Sequence, residues 1–350
     1  MKYLGLDVHL KSTVWCLLDE EGATVEHGSV ETTVVGLREL LRKLEQHGEL
    51  LCGQEVGTLC YFVNDIFIER GVKLLTFNAY QLRMIASSRK KTDKRDAYWL
   101  AKALQTGMTP HPVYLPSGEV RELRGLLSQR QALSRERVRW RVRARRMVQA
   151  AGFKPATGGS AKVTKSLEDA LTVPETLAPY LADGVKRCLR MEKALALELK
   201  DLDKQLHQRV KDNDVLKRLM TIPGVGEQVA LTLYATIGDI SRFKSARELC
   251  SYAGLVPSVR QSGNHQTLGH VTKEGSPRLR SILVQAGHSL LWRCKSDQSL
   301  PLKALAQRVH TSRQRRKIAI VAAGRYILRT AYYVMRDGTA YDPSKLPAAA

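Results

Sequence analysis

The chain has 350 residues, enough for two ordinary domains, and 43% of them are apolar, which excludes a chain too polar to fold. Lysine and arginine number 56 against 34 aspartates and glutamates, and the formal net charge of +22 points to a polyanionic partner, nucleic acid before any other. No apolar stretch approaches the roughly 20 residues of a membrane span, the N-terminus shows no secretory signal, and the six scattered cysteines (Cys16, Cys52, Cys60, Cys188, Cys250, Cys294) read as reduced core thiols, so a cytoplasmic protein, nucleoid-associated when bound, is expected.

Tyr-Leu-Gly-Leu-Asp-Val at 3–8 predicts a buried strand carrying one carboxylate, and 12–18 predicts its hairpin partner. Glu20-Glu21-Gly22 is a turn, and 24–32 suits a third strand. Val35, Leu37, Leu40, Leu41 and Leu44 recur at helical spacing. A strand over 50–56, a helix over 59–70, a strand over 72–77 and a helix over 93–105 complete the unit. Three strands, helix, strand, helix, strand, helix is the element order of a ribonuclease-H-like α/β fold, here expected over 1–110.

Residues 118–150 read as one long basic helix. Between Arg121 and Arg146 there are ten arginines and only two acids, Glu122 and Glu136, and Arg139 and Arg143 are candidates for nucleic-acid contact. The Gly-, Pro-, Ser- and Thr-rich stretch over 153–183 reads as a linker or loop insertion, with bounds near 152–184. A second long helix follows, with Cys188, Met191, Leu195, Leu199, Leu202 and Leu206 forming a coiled-coil-like seam. The two long helices of 111–218 can pair with each other or across a dimer. A mainly α domain is expected over 219–340, opening on Ile222-Pro223-Gly224-Val225-Gly226 and ending in basic helices over 276–294 and 313–336. A tail over 341–350 closes the chain, with Ala348–Ala350 expected to be disordered.

Four acids stand out by position. Asp7 lies in the first strand, and burying it without a partner or a metal is costly. Glu55 ends the fourth strand, and Asp93 and Asp96 open the last helix on one face. In a ribonuclease-H-like sheet the first and fourth strands are neighbours and the last helix packs on them, so the four can converge. Converging hard oxygen donors select Mg²⁺ or Mn²⁺, the ions that serve phosphoryl transfer. Singly, each has an ordinary use: Asp93 as a helix-start residue, Asp96 in an ion pair, Glu55 as a surface acid.

In the second half, Ile-Pro-Gly-Val-Gly at 222–226 is similar to the turn of helix-hairpin-helix modules, where amides near Gly224 and Gly226 can hold a phosphate. Lys273, Arg278 and Arg280 are further candidates for phosphate contact. Ser262 lies in a polar, glycine-bearing stretch, Gln261-Ser262-Gly263-Asn264-His265. By position alone it is a turn serine, since a hydroxyl is a weak nucleophile until activated.

Gly5-Leu6-Asp7-Val8-His9, Glu55-Val56-Gly57-Thr58, Lys91-Thr92-Asp93-Lys94-Arg95-Asp96-Ala97, the 222–226 turn, Arg242-Phe243, Ala253-Gly254-Leu255-Val256-Pro257, Gln261-Ser262-Gly263 and Thr272-Lys273-Glu274-Gly275 occur in this order. Together they resemble the insertion sequence 110 family of transposases over nearly the whole chain. That resemblance implies a RuvC-like domain with metal-binding Asp7, Glu55, Asp93 and Asp96, and a transposase domain with Ser262 as catalytic nucleophile. It also implies donor and target DNA, a structured non-coding guide RNA, and dimers assembling to tetramers. Two other readings compete. One is a metal-dependent, structure-selective nuclease that uses water. The other is a non-catalytic nucleic-acid-binding scaffold. An actin-like phosphotransferase ranks last, for want of a glycine after Asp7.

Overall fold

A computed structural model describes residues 1–85, 92–116, 118–173, 177–262, 265–313 and 316–345. They divide into two compact units, Met1–Pro116 and Ser117–Ala350. Among the described residues no helix is long and apolar enough to cross a membrane.

The first unit is a five-stranded sheet with helices on both faces. Its strands are β1 (Lys2–Val8), β2 (Ser12–Leu18), β3 (Thr24–Glu31), β4 (Leu50–Glu55) and β5 (Leu74–Phe77), in the order β3-β2-β1-β4-β5. The first three strands form an antiparallel meander, and β1/β4 and β4/β5 are parallel. Side chains alternate along a strand, so Leu4 and Leu6 of β1 fall on one face. There they pack with Trp15, Leu17 and the buried sides of α1 (Val34–Leu44) and α2 (Cys60–Glu69). Thr33 caps α1 by accepting from the Gly36 N–H, and Leu37, Leu40, Leu41 and Leu44 are buried, whereas Val35 is exposed. A short helix that the sequence did not announce, α3 (Ala79–Ile85), follows β5. The opposite sheet face carries α4 (Asp93–Gln105), whose Ala97 and Ala101 pack with Cys16 and Leu18.

The second unit is built on two 33-residue helices, α5 (Gly118–Ala150) and α7 (Pro179–Lys211). They pair with each other inside the chain. Arg209–Glu122, Arg130–Asp203 and Arg137–Glu192 link them in descending order, so the pair is antiparallel. Of the expected seam, Cys188, Leu199, Leu202 and Leu206 are buried, while Met191 is exposed and Glu192 takes the inward place. That is possible because Arg137 and Arg141 of α5 both reach Glu192 Oε1, at 3.0 and 2.6 Å. Burial alone would raise the Glu192 carboxyl, but the hydrogen bonds and charges of Arg141 and Arg137 outweigh it and hold it below the usual range.

The 153–183 stretch departs from the linker expected of it. It contains α6 (Ser160–Thr172), whose Val163, Leu167 and Ala170 pack against Ala144, Val148, Val185 and Leu189. Its helical spacing of apolar residues outweighs the loop-like composition around it. α8 (Asp214–Met220), α9 (Glu227–Ile237), α10 (Ala246–Tyr252), α11 (Pro277–Trp292), α12 (Leu300–Arg313) and α13 (Arg316–Asp337) surround a second core. The polar stretch around Ser262 is a two-stranded antiparallel ribbon, β6 (Pro257–Ser262) and β7 (His265–Val271), in an otherwise helical unit. Five of the cysteines are buried and Cys294 is half-buried, all with free thiols; burial pushes the Cys52 thiol up to about 12. Residues 346–350, which include the Ala348–Ala350 tail, lie outside the described part of the chain.

Candidate active site

The site begins where β1 and β4 end. Parallel pairing sets Gly5 beside Gly53 and Leu6 beside Gln54, so Asp7 and Glu55 stand next to each other at the C-terminal edge. Gly5 and Gly53 tell which face these acids occupy. A methyl group on Gly5 would meet Ala97 O at 2.1 Å and Ala101 N at 2.6 Å, and one on Gly53 would meet Leu104 and Phe77. Both therefore face α4, and so do Asp7 and Glu55, two residues further along each strand. Only a residue without Cβ lets the α4 backbone come this near.

That close approach brings the first turn of α4 to the strand ends. Thr92 precedes it and makes no side-chain cap, and Asp93 and Asp96 occupy its opening turn, where the helix dipole favours negative charge. Oxygens of Asp7 and Asp93 and a ring nitrogen of His9 all lie within 4.8 Å of one another. His9 Nε2 is 3.1 Å from Asp7 Oδ2 and 3.6 Å from Asp93 Oδ2. Asp7 is the least exposed of the three, with 20% of its side chain accessible against 48% for His9 and 63% for Asp93. Burial pushes its carboxyl above the usual range; His9 pulls it back, and the charges of Asp96 and Asp93 push it up again.

The structure thus gathers Asp7 and Asp93 directly and places Asp96 within electrostatic reach of Asp7. Glu55 stands exposed beside Asp7 on the neighbouring strand, outside the compact donor group. Like charges held this close, on a partly buried carboxyl whose proton affinity is raised, suit a small divalent cation between hard oxygen ligands. His9 was not among the predicted ligands. Its signal was the Asp-Val-His spacing: the His9 N–H donates to Ser12 O at 3.0 Å, which turns the chain at the end of β1 and keeps the ring near Asp7.

Other candidates lie in the second unit. Ser262 is the last residue of β6, paired with His265 at the ribbon tip; its side chain, with Gly263 and Asn264, lies outside the described residues. Gly224, at φ +85°, turns the chain between α8 and α9, and its Cα faces Ala286 O and Leu290 of α11. Gly226 caps α9 and is exposed. Arg280 Nη1 donates to the carbonyls of Glu274 and Gly275 at 2.9 and 3.0 Å, tying the loop before α11. Arg278 is half-buried and donates from Nε to Gln131 at 2.8 Å. Lys273 is exposed in the left-handed region at φ +59°. On α5, Arg139 pairs with Glu136, and the Arg143 guanidinium lies 4.5 Å over the Trp140 ring; both arginines are exposed.

Comparison with known proteins finds family matches in both units. Residues 4–152 match the DEDD transposase model of IS110, and residues 216–302 match the model of the transposase IS116/IS110/IS902 family. A transposase for insertion sequence element IS1111A from Coxiella burnetii is 27% identical over 88% of this chain and 84% of its own length. A putative transposase from Sinorhizobium fredii is 28% identical over 77% and 70%. The pilin gene-inverting protein of Moraxella bovis is 27% identical over 73% and 69%.

Proposed function

Because the chain belongs to the IS116/IS110/IS902 family of transposases, we propose that it cuts and rejoins DNA with a divalent-metal carboxylate site and a serine nucleophile. The observation that carries the metal half is the gathering of Asp7 and Asp93 at the sheet edge, with Glu55 and Asp96 beside them. Asp7, Glu55, Asp93 and Asp96 would hold Mg²⁺, or Mn²⁺ in its place. Such an ion supplies charge neutralisation at the scissile phosphate.

The chain's own residues do the rest. Asp7 and Glu55, fixed on adjacent strands, set the floor of the site, and α4 sets Asp93 and Asp96 against it. The Ser262 hydroxyl loses its proton and attacks phosphorus, the Oγ–P bond forms as the bond from phosphorus to the strand's ester oxygen breaks, and that oxygen takes up a proton and leaves as a hydroxyl. In the reverse sense a free strand hydroxyl attacks the phosphoserine ester, the phosphodiester re-forms and serine is released. The ester conserves the bond energy, so joining needs no nucleotide cofactor. The exposed Arg139, Arg143 and Lys273 and the Gly224–Gly226 turn fit phosphate contact without sequence reading. Target choice falls to a structured non-coding guide RNA, and tetramers let one subunit's serine act beside another's carboxylates.

Incubation of the full chain with its co-purifying RNA, Mg²⁺ and donor and target DNA tests this. A covalent protein–DNA adduct is expected, absent from Ser262→Ala and from Asp7→Asn. Free hydroxyl ends without an adduct would replace the serine step by water-driven nuclease chemistry. Wild-type cutting by Asp7→Asn would remove the carboxylate site from the chemistry, and binding of RNA and DNA by the wild-type chain with neither cutting nor adduct would leave only a nucleic-acid-binding scaffold. Sequencing of the co-purified RNA tests the guide.

A further inference from the structure

Resting on the carboxylate-site reading above, we propose that His9 is an additional ligand of the divalent ion, giving the site a mixed nitrogen and oxygen donor set. Three observations support it. First, the distances suit one coordination shell. Neighbouring donors around a six-coordinate ion with bonds of about 2.1 Å lie about 3 Å apart. His9 Nε2 lies 3.1 Å from Asp7 Oδ2 and 3.6 Å from Asp93 Oδ2, so the ring nitrogen stands about one shell edge from an oxygen of each carboxylate.

Second, the ring has a fixed origin. His9 directly follows β1, and its N–H donates to Ser12 O at 3.0 Å, which closes the turn into β2. The side chain therefore leaves the backbone two residues beyond Asp7, at the edge the carboxylates occupy. Third, nothing in the core accounts for it. About half of the His9 side chain is exposed, and among the described residues its side-chain polar contacts are the two carboxylates.

An imidazole that merely neutralised the acids would be displaced when a cation arrives, whereas a ligand stays. The two roles also differ in ion preference. A nitrogen donor adds affinity for Mn²⁺ and later transition ions more than for Mg²⁺, which prefers oxygen. His9 therefore tilts the site toward Mn²⁺.

The 350-residue chain is titrated with Mn²⁺ alone and followed by electron paramagnetic resonance, with pulsed detection of ¹⁴N coupling to the bound ion. Wild type is expected to show imidazole ¹⁴N coupling. His9→Ala and His9→Gln, with unchanged circular dichroism, are expected to lose it and to bind Mn²⁺ at least about tenfold more weakly. Mg²⁺ affinity, read by competition, is expected to fall less. Absence of ¹⁴N coupling in wild type, or unchanged Mn²⁺ affinity in both His9 variants, overturns the assignment of His9. Asp7→Asn separates the two levels. If it removes Mn²⁺ binding while the His9 variants do not, only His9 falls. If it binds Mn²⁺ as wild type does, the carboxylate site itself falls, and His9 with it.

Discussion

Substituting Gly5 by alanine tests how the carboxylates are assembled. The new methyl would sit 2.1 Å from Ala97 O and 2.6 Å from Ala101 N, both backbone atoms of α4. Ordinary contact begins near 3.4 Å, so the helix must retreat by roughly 1.3 Å, since no side chain can rotate out of the way. Overpacking of this kind costs about 1–3 kcal/mol. The larger effect falls on chemistry, because Asp93 and Asp96 ride on the helix that moves while Asp7 stays on the strand. A displacement of about 1 Å in a catalytic constellation costs on the order of 100-fold in rate. Gly53→Ala is the control: its methyl would meet side-chain atoms of Leu104 at 2.9 Å and Phe77 at 3.2 Å, which can yield. Hydrogen exchange of the α4 amides, urea midpoints and Mg²⁺-dependent cutting should rank wild type, then Gly53→Ala, then Gly5→Ala. Wild-type protection of α4 together with wild-type cutting by Gly5→Ala would refute this account of the site.

Asp7→Asn should abolish cutting yet make the metal-free protein more stable at neutral pH. Because the folded Asp7 carboxyl has a raised pKa, its protonated form favours the fold; that advantage is complete below the ordinary value of 3.8 and is lost as pH climbs through the raised one. Melting temperature against pH in EDTA should therefore fall over that window for wild type, and the Asn variant should lack this part of the slope. Glu192→Ala, which strands Arg137 and Arg141 on a buried seam, should cost about 3 kcal/mol by urea unfolding, whereas Glu136→Ala on the exposed side should stay within about 0.5 kcal/mol. Gly224→Ala forces a Cβ to within 3.0 Å of Ala286 O at φ +85°, and should lower stability by about 1–3 kcal/mol in the same assay.

The sheet was legible because its signals are local. Leu-Gly-Leu-Asp-Val reads as a strand at once, and the order of elements along 3–105 matches the structure apart from α3 and a 3-10 turn at Glu45–His47. The pairing of Asp7 with Asp93 was legible only through topology, since 86 positions of chain separate them. His9 escaped because its role depends on a turn, not on a period. α6 escaped because glycines and prolines on both sides masked the spacing of Val163, Leu167 and Ala170. The ribbon over 257–271 had a usable signal: Gly263-Asn264 is a dipeptide of the two-residue hairpin kind, but the flanking polar residues hid the strands. Glu192 was unreadable as an inward residue until Arg137 and Arg141 of the facing helix were known.

That buried glutamate gives the long helical hairpin a single length. A zipper of leucines tolerates slippage by a whole heptad, because residues such as Leu202 and Leu206 find similar neighbours after the slide. Glu192 does not. Shifted seven residues one way it would lie against Ala144 and Val148, and shifted the other way against Arg130 and Ser134, with the Arg130–Asp203 pair broken. One acid in an arginine-rich seam thus sets the register of a helix pair about 50 Å long, where leucines alone would leave it free to slide.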